Sequence, residues 1–134
     1  MSYLYMKGIS KSFPGVQALD NVDFEAEKGE VHAIAGENGA GKSTLIKILS
    51  GAYLPDKGQI FLDGRELSIT DPHSGREQGI SVIYQEMSLI PDMTVAENIF
   101  LANMLKKYGT VKWQEMRQRT NEVLQEIGFD INPN

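Results

Sequence analysis

The stretch IAGENGAGKSTLIKILSG, residues 34–51, places Gly36, Gly39 and Gly41 close together and follows them at once with Lys42, Ser43 and Thr44. Ordering a glycine costs more conformational entropy than ordering any other residue, so such a cluster serves a backbone that must come close to something. A phosphate is the leading candidate. Upstream, VHAIA at residues 31–35 is apolar on nearly every position, which predicts a strand covered on both faces in a parallel sheet. Downstream, Leu45, Ile48 and Leu49 fall on one helical face and Gly51 supplies the stop. The order is strand, glycine loop, helix.

Residues 36–43 match G-x-x-x-x-G-K-[ST], in the strand-to-helix context that motif requires. In such a loop the consecutive N–H groups from Asn38 to Thr44 point inward at phosphate oxygens, and the helix N-terminus adds partial positive charge. The binding residues expected are therefore Gly36, Glu37, Asn38, Gly39, Ala40, Gly41, Lys42, Ser43 and Thr44. Lys42 reaches the terminal phosphates. Ser43 offers its hydroxyl to a magnesium ion bridging two of them, because magnesium prefers hard oxygen ligands.

With 134 residues, 41% of them hydrophobic, the chain has the size and content of one globular domain with a modest core. The absence of cysteine excludes disulfide frameworks and thiolate metal sites, and two isolated histidines build no zinc site. A net charge of −5 argues against a general nucleic-acid binder. Apolar runs fall far short of the roughly 20 residues a bilayer helix needs, and MSYLYMKG has no signal-peptide pattern. Both point to the cytoplasm.

Elsewhere, Val22, Phe24 and Ala26 alternate with acids, predicting a half-buried strand ended by Gly29. Asp63–Gly64 within QIFLDGREL predicts a hairpin turn. Asp71 and Pro72 predict the start of a short helix, followed by a strand at ISVIY, residues 80–84. Thr94 with Glu97 has capping-box spacing. A last helix from about Trp113 to Ile127 puts Met116, Thr120, Val123, Leu124 and Ile127 on one stripe and stops at Gly128.

Two long stretches, ISKSFPGVQALDNVDFEAEKGEVHAIAGENGAGKSTLIKILSGAYLPDKGQI (residues 9–60) and IYQEMSLIPDMTVAENIFL (residues 83–101), resemble the ATP-binding subunits of ABC transporters, in particular those of bacterial sugar importers. The resemblance implies an α/β fold: a partial P-loop NTPase core with an N-terminal antiparallel β subdomain and the start of a helical subdomain. It implies a division at about residue 85, with residues 1–85 carrying the β subdomain and P-loop core and residues 86–134 the loop beyond it and the first helical part. ATP and Mg²⁺ are the implied cofactors. Phe13 takes the place of the aromatic that stacks on adenine, with Val16 beside it; a place in the core would suit Phe13 equally. Gln85, at the end of the ISVIY segment, takes the place of the glutamine whose amide oxygen is offered to magnesium or the attacking water.

The implied partners are membrane-spanning permease subunits facing Met87 to Ile99, a second ATP-binding domain and, indirectly, a sugar-binding protein. The implied location is the cytoplasmic face of the membrane, as a peripheral subunit. In the family, the signature motif, the aspartate–glutamate strand and the switch histidine follow beyond this stretch, so the chain alone is expected to bind ATP without turning it over at the family's rate. In the family's sheet, strands that this chain does not contain separate Val31–Ala35 from Ile80–Tyr84. A gap there predicts unpaired edges and exposed apolar faces.

Asp63 is better explained as a turn residue than as a magnesium ligand, and Glu86 has no aspartate before it to make the acidic pair of a catalytic strand. His32 and His73 take structural places, His32 inside the apolar pattern. Two other functions compete with the sugar-import ATPase: an inactive nucleotide-binding fragment and a small P-loop phosphotransferase. Arg65, Arg76, Arg117 and Arg119 are scattered, unlike the arginine-rich lid the second of these would bring.

Overall fold

The computed structural model describes residues 2–84, 89–101 and 103–133. They form two compact units, Met1–Ile83 and Tyr84–Asn134.

In the first unit, β1 (Leu4–Phe13) lies between β2 (Val16–Ala26) and β3 (Lys57–Leu62), and β4 (Arg65–Glu66) completes an antiparallel sheet of order β2-β1-β3-β4. The inward residues of β1 are Met6 and Ile9, three apart, which breaks the period of two. A bulge accounts for the break. Pairing slips between Met6↔Phe24 and Ile9↔Val22, Gly8 adopts a φ of 61°, and its N–H donates to Asp23 Oδ1 at 2.6 Å. An extra residue in one strand of a ladder re-aims the side chains after it. Asp63 and Gly64, with φ of 50° and 73°, form the β3–β4 turn expected of that dipeptide.

Helix α1 (Lys42–Leu49) lays Leu45 and Ile48 into a core with Met6, Ile9, Leu19, Ile60 and Leu67. Burying one such side chain fully is worth roughly 1.5–3 kcal/mol, so this contact fixes α1 on the sheet. Helix α2 (Pro72–Glu77) starts as expected, with Asp71 Oδ1 accepting from the N–H groups of His73 and Ser74.

Two expected strands are absent. Residues 31–35 and 80–83 lie in no strand ladder among the described residues, and Val31 and Ile83 are each 99% exposed. Only Ile34 and Ile80 touch the rim of the core. A strand is a paired object, and an apolar run without neighbours on either side has no ladder to join. The exposed apolar faces expected of a gap are present. His32 is accordingly not inside a strand; its ring meets Phe24 edge-on at 5.1 Å, and Nδ1 is 3.0 Å from Glu30 Oε1.

The second unit holds α3 (Val95–Phe100), a two-residue hairpin of β5 (Lys106–Lys107) and β6 (Thr110–Val111), and α4 (Trp113–Glu126). Thr94 and Glu97 form the expected capping box. Asn98 binds the chain before it into a turn, its amide donating to the carbonyls of Ile90, Met93 and Thr94, each at 3.1 Å. On α4 the stripe is narrower than expected. Met116, Thr120 and Leu124, four residues apart, are buried, while Val123 and Ile127 remain 46% and 59% exposed. No helix among the described residues is long and apolar enough to cross a membrane.

Candidate functional site

Helix α1 starts at Lys42 because Gly41 turns the chain left-handed, at φ 84°. A Cβ on Gly41 would lie 2.6 Å from the Ala18 carbonyl oxygen and 2.7 Å from Leu19 Cδ2, so the glycine also lets the loop press against β2. Gly39, at φ 87°, stands in open space and is required by conformation alone. The first bond of α1 runs from the Leu45 N–H to the Gly41 carbonyl at 2.9 Å, and no side chain among the described residues caps the helix. The N–H groups of Lys42, Ser43 and Thr44 therefore have no acceptor within the helix, at the positive end of its dipole.

Lys42 Nζ donates to the Gly36 carbonyl at 2.7 Å and to the Glu37 carbonyl at 2.6 Å, which holds the ammonium against the loop. An ammonium has three donors, so one remains for an acceptor outside the protein. The Ala40 N–H closes the turn on the Glu37 carbonyl at 3.2 Å. Residues 36–40 and Ser43 are exposed. Backbone N–H groups, one cation and one hydroxyl on a helix N-terminus suit a polyphosphate, which offers only acceptors.

Phe13 and Val16 pair across the Pro14–Gly15 turn that joins β1 to β2. Phe13 is half-buried and Val16 is 61% exposed. The Phe13 ring meets Tyr53 edge-on, with centroids 5.3 Å apart and planes at 66°, and Lys11 Nζ lies 5.7 Å from its centroid. From Val16 to the Ala18–Leu19 contact with Gly41 is two or three residues along β2, roughly 7–10 Å at the rise of a strand. Aromatic turn and glycine loop thus share one strand. Gln85 and Glu86 lie outside the described residues. Asp63 sits in the β3–β4 turn and His73 is exposed beside Glu77, at 3.7 Å. Among the described residues, no group of three or more His, Cys, Asp or Glu side chains is placed to hold a metal ion.

A family model described as ABC transporter matches residues 19–133. The chain belongs to the ABC transporter family. Over 97% of its length, this ABC transporter chain is 54% identical to the ribose import ATP-binding protein of Rubrobacter xylanophilus and 48% identical to the xylose import ATP-binding protein of Geobacillus kaustophilus. It spans about a quarter of the length of these curated relatives, 26% of each. Among solved structures, it is similar to a nucleotide-free ATP-binding cassette from an ABC transporter (TM-score 0.74, 26% identity, 93% of this chain and 53% of that one). It is also similar to an ATP-binding cassette bound to ADP and Pi (TM-score 0.74, 26% identity, 97% of this chain and 59% of that one). The fold is a partial P-loop NTPase core with an antiparallel β sheet.

Tyr53 and Lys11 lie against Phe13, and Asp56 binds Lys11 and the Ser12 N–H beside it, but none of the three is singled out by the sequence. An aromatic two residues after Gly51 is visible in the string; that it packs against Phe13, on the far side of the glycine loop, is not.

Proposed function

We propose that this ABC transporter chain binds ATP with Mg²⁺, as the nucleotide-binding part of an ATPase subunit whose hydrolysis of ATP powers sugar import. The observation that carries this is the uncapped start of α1 behind a left-handed glycine, with Lys42 held at the loop by two carbonyls. Residues 36–44 form the phosphate cradle, the N–H groups from Asn38 to Thr44 facing the phosphates, and the free donor of Lys42 meets a terminal phosphate oxygen. Bound Mg²⁺ would draw charge from the phosphates; the Ser43 hydroxyl and the Gln85 amide oxygen are its protein ligands in this proposal. Phe13 stacks on the base.

The names of the relatives support the sugar-import assignment over a soluble phosphotransferase. The same reading places the subunit peripherally on the cytoplasmic face of the membrane, beside a second ATP-binding domain, with residues 87–99 toward the permease subunits. An inactive nucleotide-binding module differs from it only in turnover.

Calorimetric titration with Mg-ATP tests the site. Lys42→Ala is expected to abolish binding while the circular dichroism spectrum and melting temperature stay close to those of the parent, because Lys42 makes no core contact. Equal affinity in parent and variant sinks the assignment.

A further inference from the structure

Between α1 and β3, residues 50–56 carry two side chains that converge on the β1–β2 turn. The Tyr53 N–H donates to the Lys47 carbonyl of α1 at 3.1 Å, and Lys47 Nζ lies 5.2 Å from the Tyr53 ring centroid. Tyr53 also meets the Phe13 ring edge-on, at 5.3 Å. Three residues on, Asp56 fastens the strand that carries Phe13. Its N–H donates to the Ser10 carbonyl at 2.9 Å, Oδ2 accepts from the Ser12 N–H at 2.7 Å, and Oδ1 accepts from Lys11 Nζ at 2.8 Å. Across the turn, the Ser12 hydroxyl donates to Gln17 Oε1 at 2.9 Å, and Gln17 Nε2 donates to the Leu19 carbonyl at 2.9 Å. Leu19 is the residue against which Gly41 is pressed.

We infer that Tyr53 is a positioning residue that sets the plane of the Phe13 ring for stacking on the nucleotide base, with Asp56 locking the backbone just before the ring, at Ser10 and Ser12. The inference rests on the assignment of Phe13 as the base-stacking ring. A ring next to a tight turn and only half-buried is free to rotate about two torsions; an edge-on neighbour fixed to α1 removes that freedom before the ligand arrives. The phosphate helix and the base-stacking ring are then held by one short connection. Tyr53 has no role toward the phosphates.

The test compares affinities for Mg-ATP and for inorganic tripolyphosphate with Mg²⁺ in the parent chain, Phe13→Ala, Tyr53→Phe, Tyr53→Leu and the double variant Phe13→Ala/Tyr53→Leu. Leucine keeps apolar bulk against the core, so the fold is retained. Tyr53→Leu is expected to weaken ATP roughly two- to tenfold, the range of an aromatic pair, and to leave tripolyphosphate unchanged. Tyr53→Phe is expected to match the parent. In the Phe13→Ala background, Tyr53→Leu is expected to do nothing further. Equal losses for both ligands, no loss for either, or a full additional loss in the double variant overturns the inference. A selective loss in Phe13→Ala without one in Tyr53→Leu overturns it alone; no selective loss in Phe13→Ala overturns the base-stacking assignment and this inference with it.

Discussion

At the scale of single residues, the glycines of the loop separate two costs that the string shows as one letter. Gly39→Ala meets no atom within 4 Å and carries only the strain of a left-handed φ, roughly 1–2 kcal/mol. Gly41→Ala carries that strain and a collision with the Ala18 carbonyl, a backbone atom that cannot swing away. Chemical denaturation should therefore show Gly41→Ala as the more destabilised of the two; equal losses would mean the loop is not pressed on β2. A different defect sits in α4. Thr120 is fully buried, and its Oγ1 has no hydrogen-bond partner among the described residues. A buried hydroxyl left unpaired costs roughly 1–3 kcal/mol, so the isosteric Thr120→Val is expected to raise the denaturation midpoint. A fall on that substitution would reveal an acceptor for the hydroxyl.

At the scale of elements, the caps are where charge enters stability. The Asp71 carboxyl is held below its ordinary value of 3.8, chiefly by the Ser74 N–H and then by the Thr70 hydroxyl. The Glu97 carboxyl is held below 4.5 by the Thr94 N–H and then the Thr94 hydroxyl. For a lowered pKa the stabilisation is present above the unfolded value and is lost as pH falls through the folded one. Melting temperatures in dilute solution should thus drop as pH falls below about 4, the unfolded carboxylate range. Asp71→Asn, which keeps a capping oxygen but cannot titrate, should make that drop shallower. An unchanged slope would show that the Asp71 cap is not coupled to folding. Helix caps and hairpin turns were legible in the sequence because each is written within about four residues, as at Asp71–Pro72, Thr94–Glu97 and Asp63–Gly64. β1 was not, since the bulge at Gly8 puts Met6 and Ile9 out of alternation. The loop of the candidate site was legible for the same local reason as the caps, whereas the Phe13–Tyr53 pair exists only after folding.

At the scale of the whole molecule, apolar content and strand formation part company. Residues 31–35 and 80–83 have the composition of buried strands, but composition reports only what a segment could pair with, and among the described residues neither joins a ladder. Hydrogen exchange should read this directly. Amides of β1, bonded to strands on both sides, are expected to exchange slowest, and those of residues 31–33 and 81–83 close to the rate of unstructured peptide. Slow exchange at Val31 and Ile83 would show a ladder that the described residues lack. The bare side chains of Val31 and Ile83 also bear on how the chain behaves as a colloid. At neutral pH, 18 acidic against 13 basic side chains leave −5, and like charge keeps copies apart despite these apolar contacts. The sequence pI is about 5.0, and near that pH the net charge vanishes and the repulsion fades. Light scattering should then rise steeply with protein concentration, and charging Val31 and Ile83 together, as Val31→Lys/Ile83→Lys, should suppress the rise while leaving the melting temperature in place.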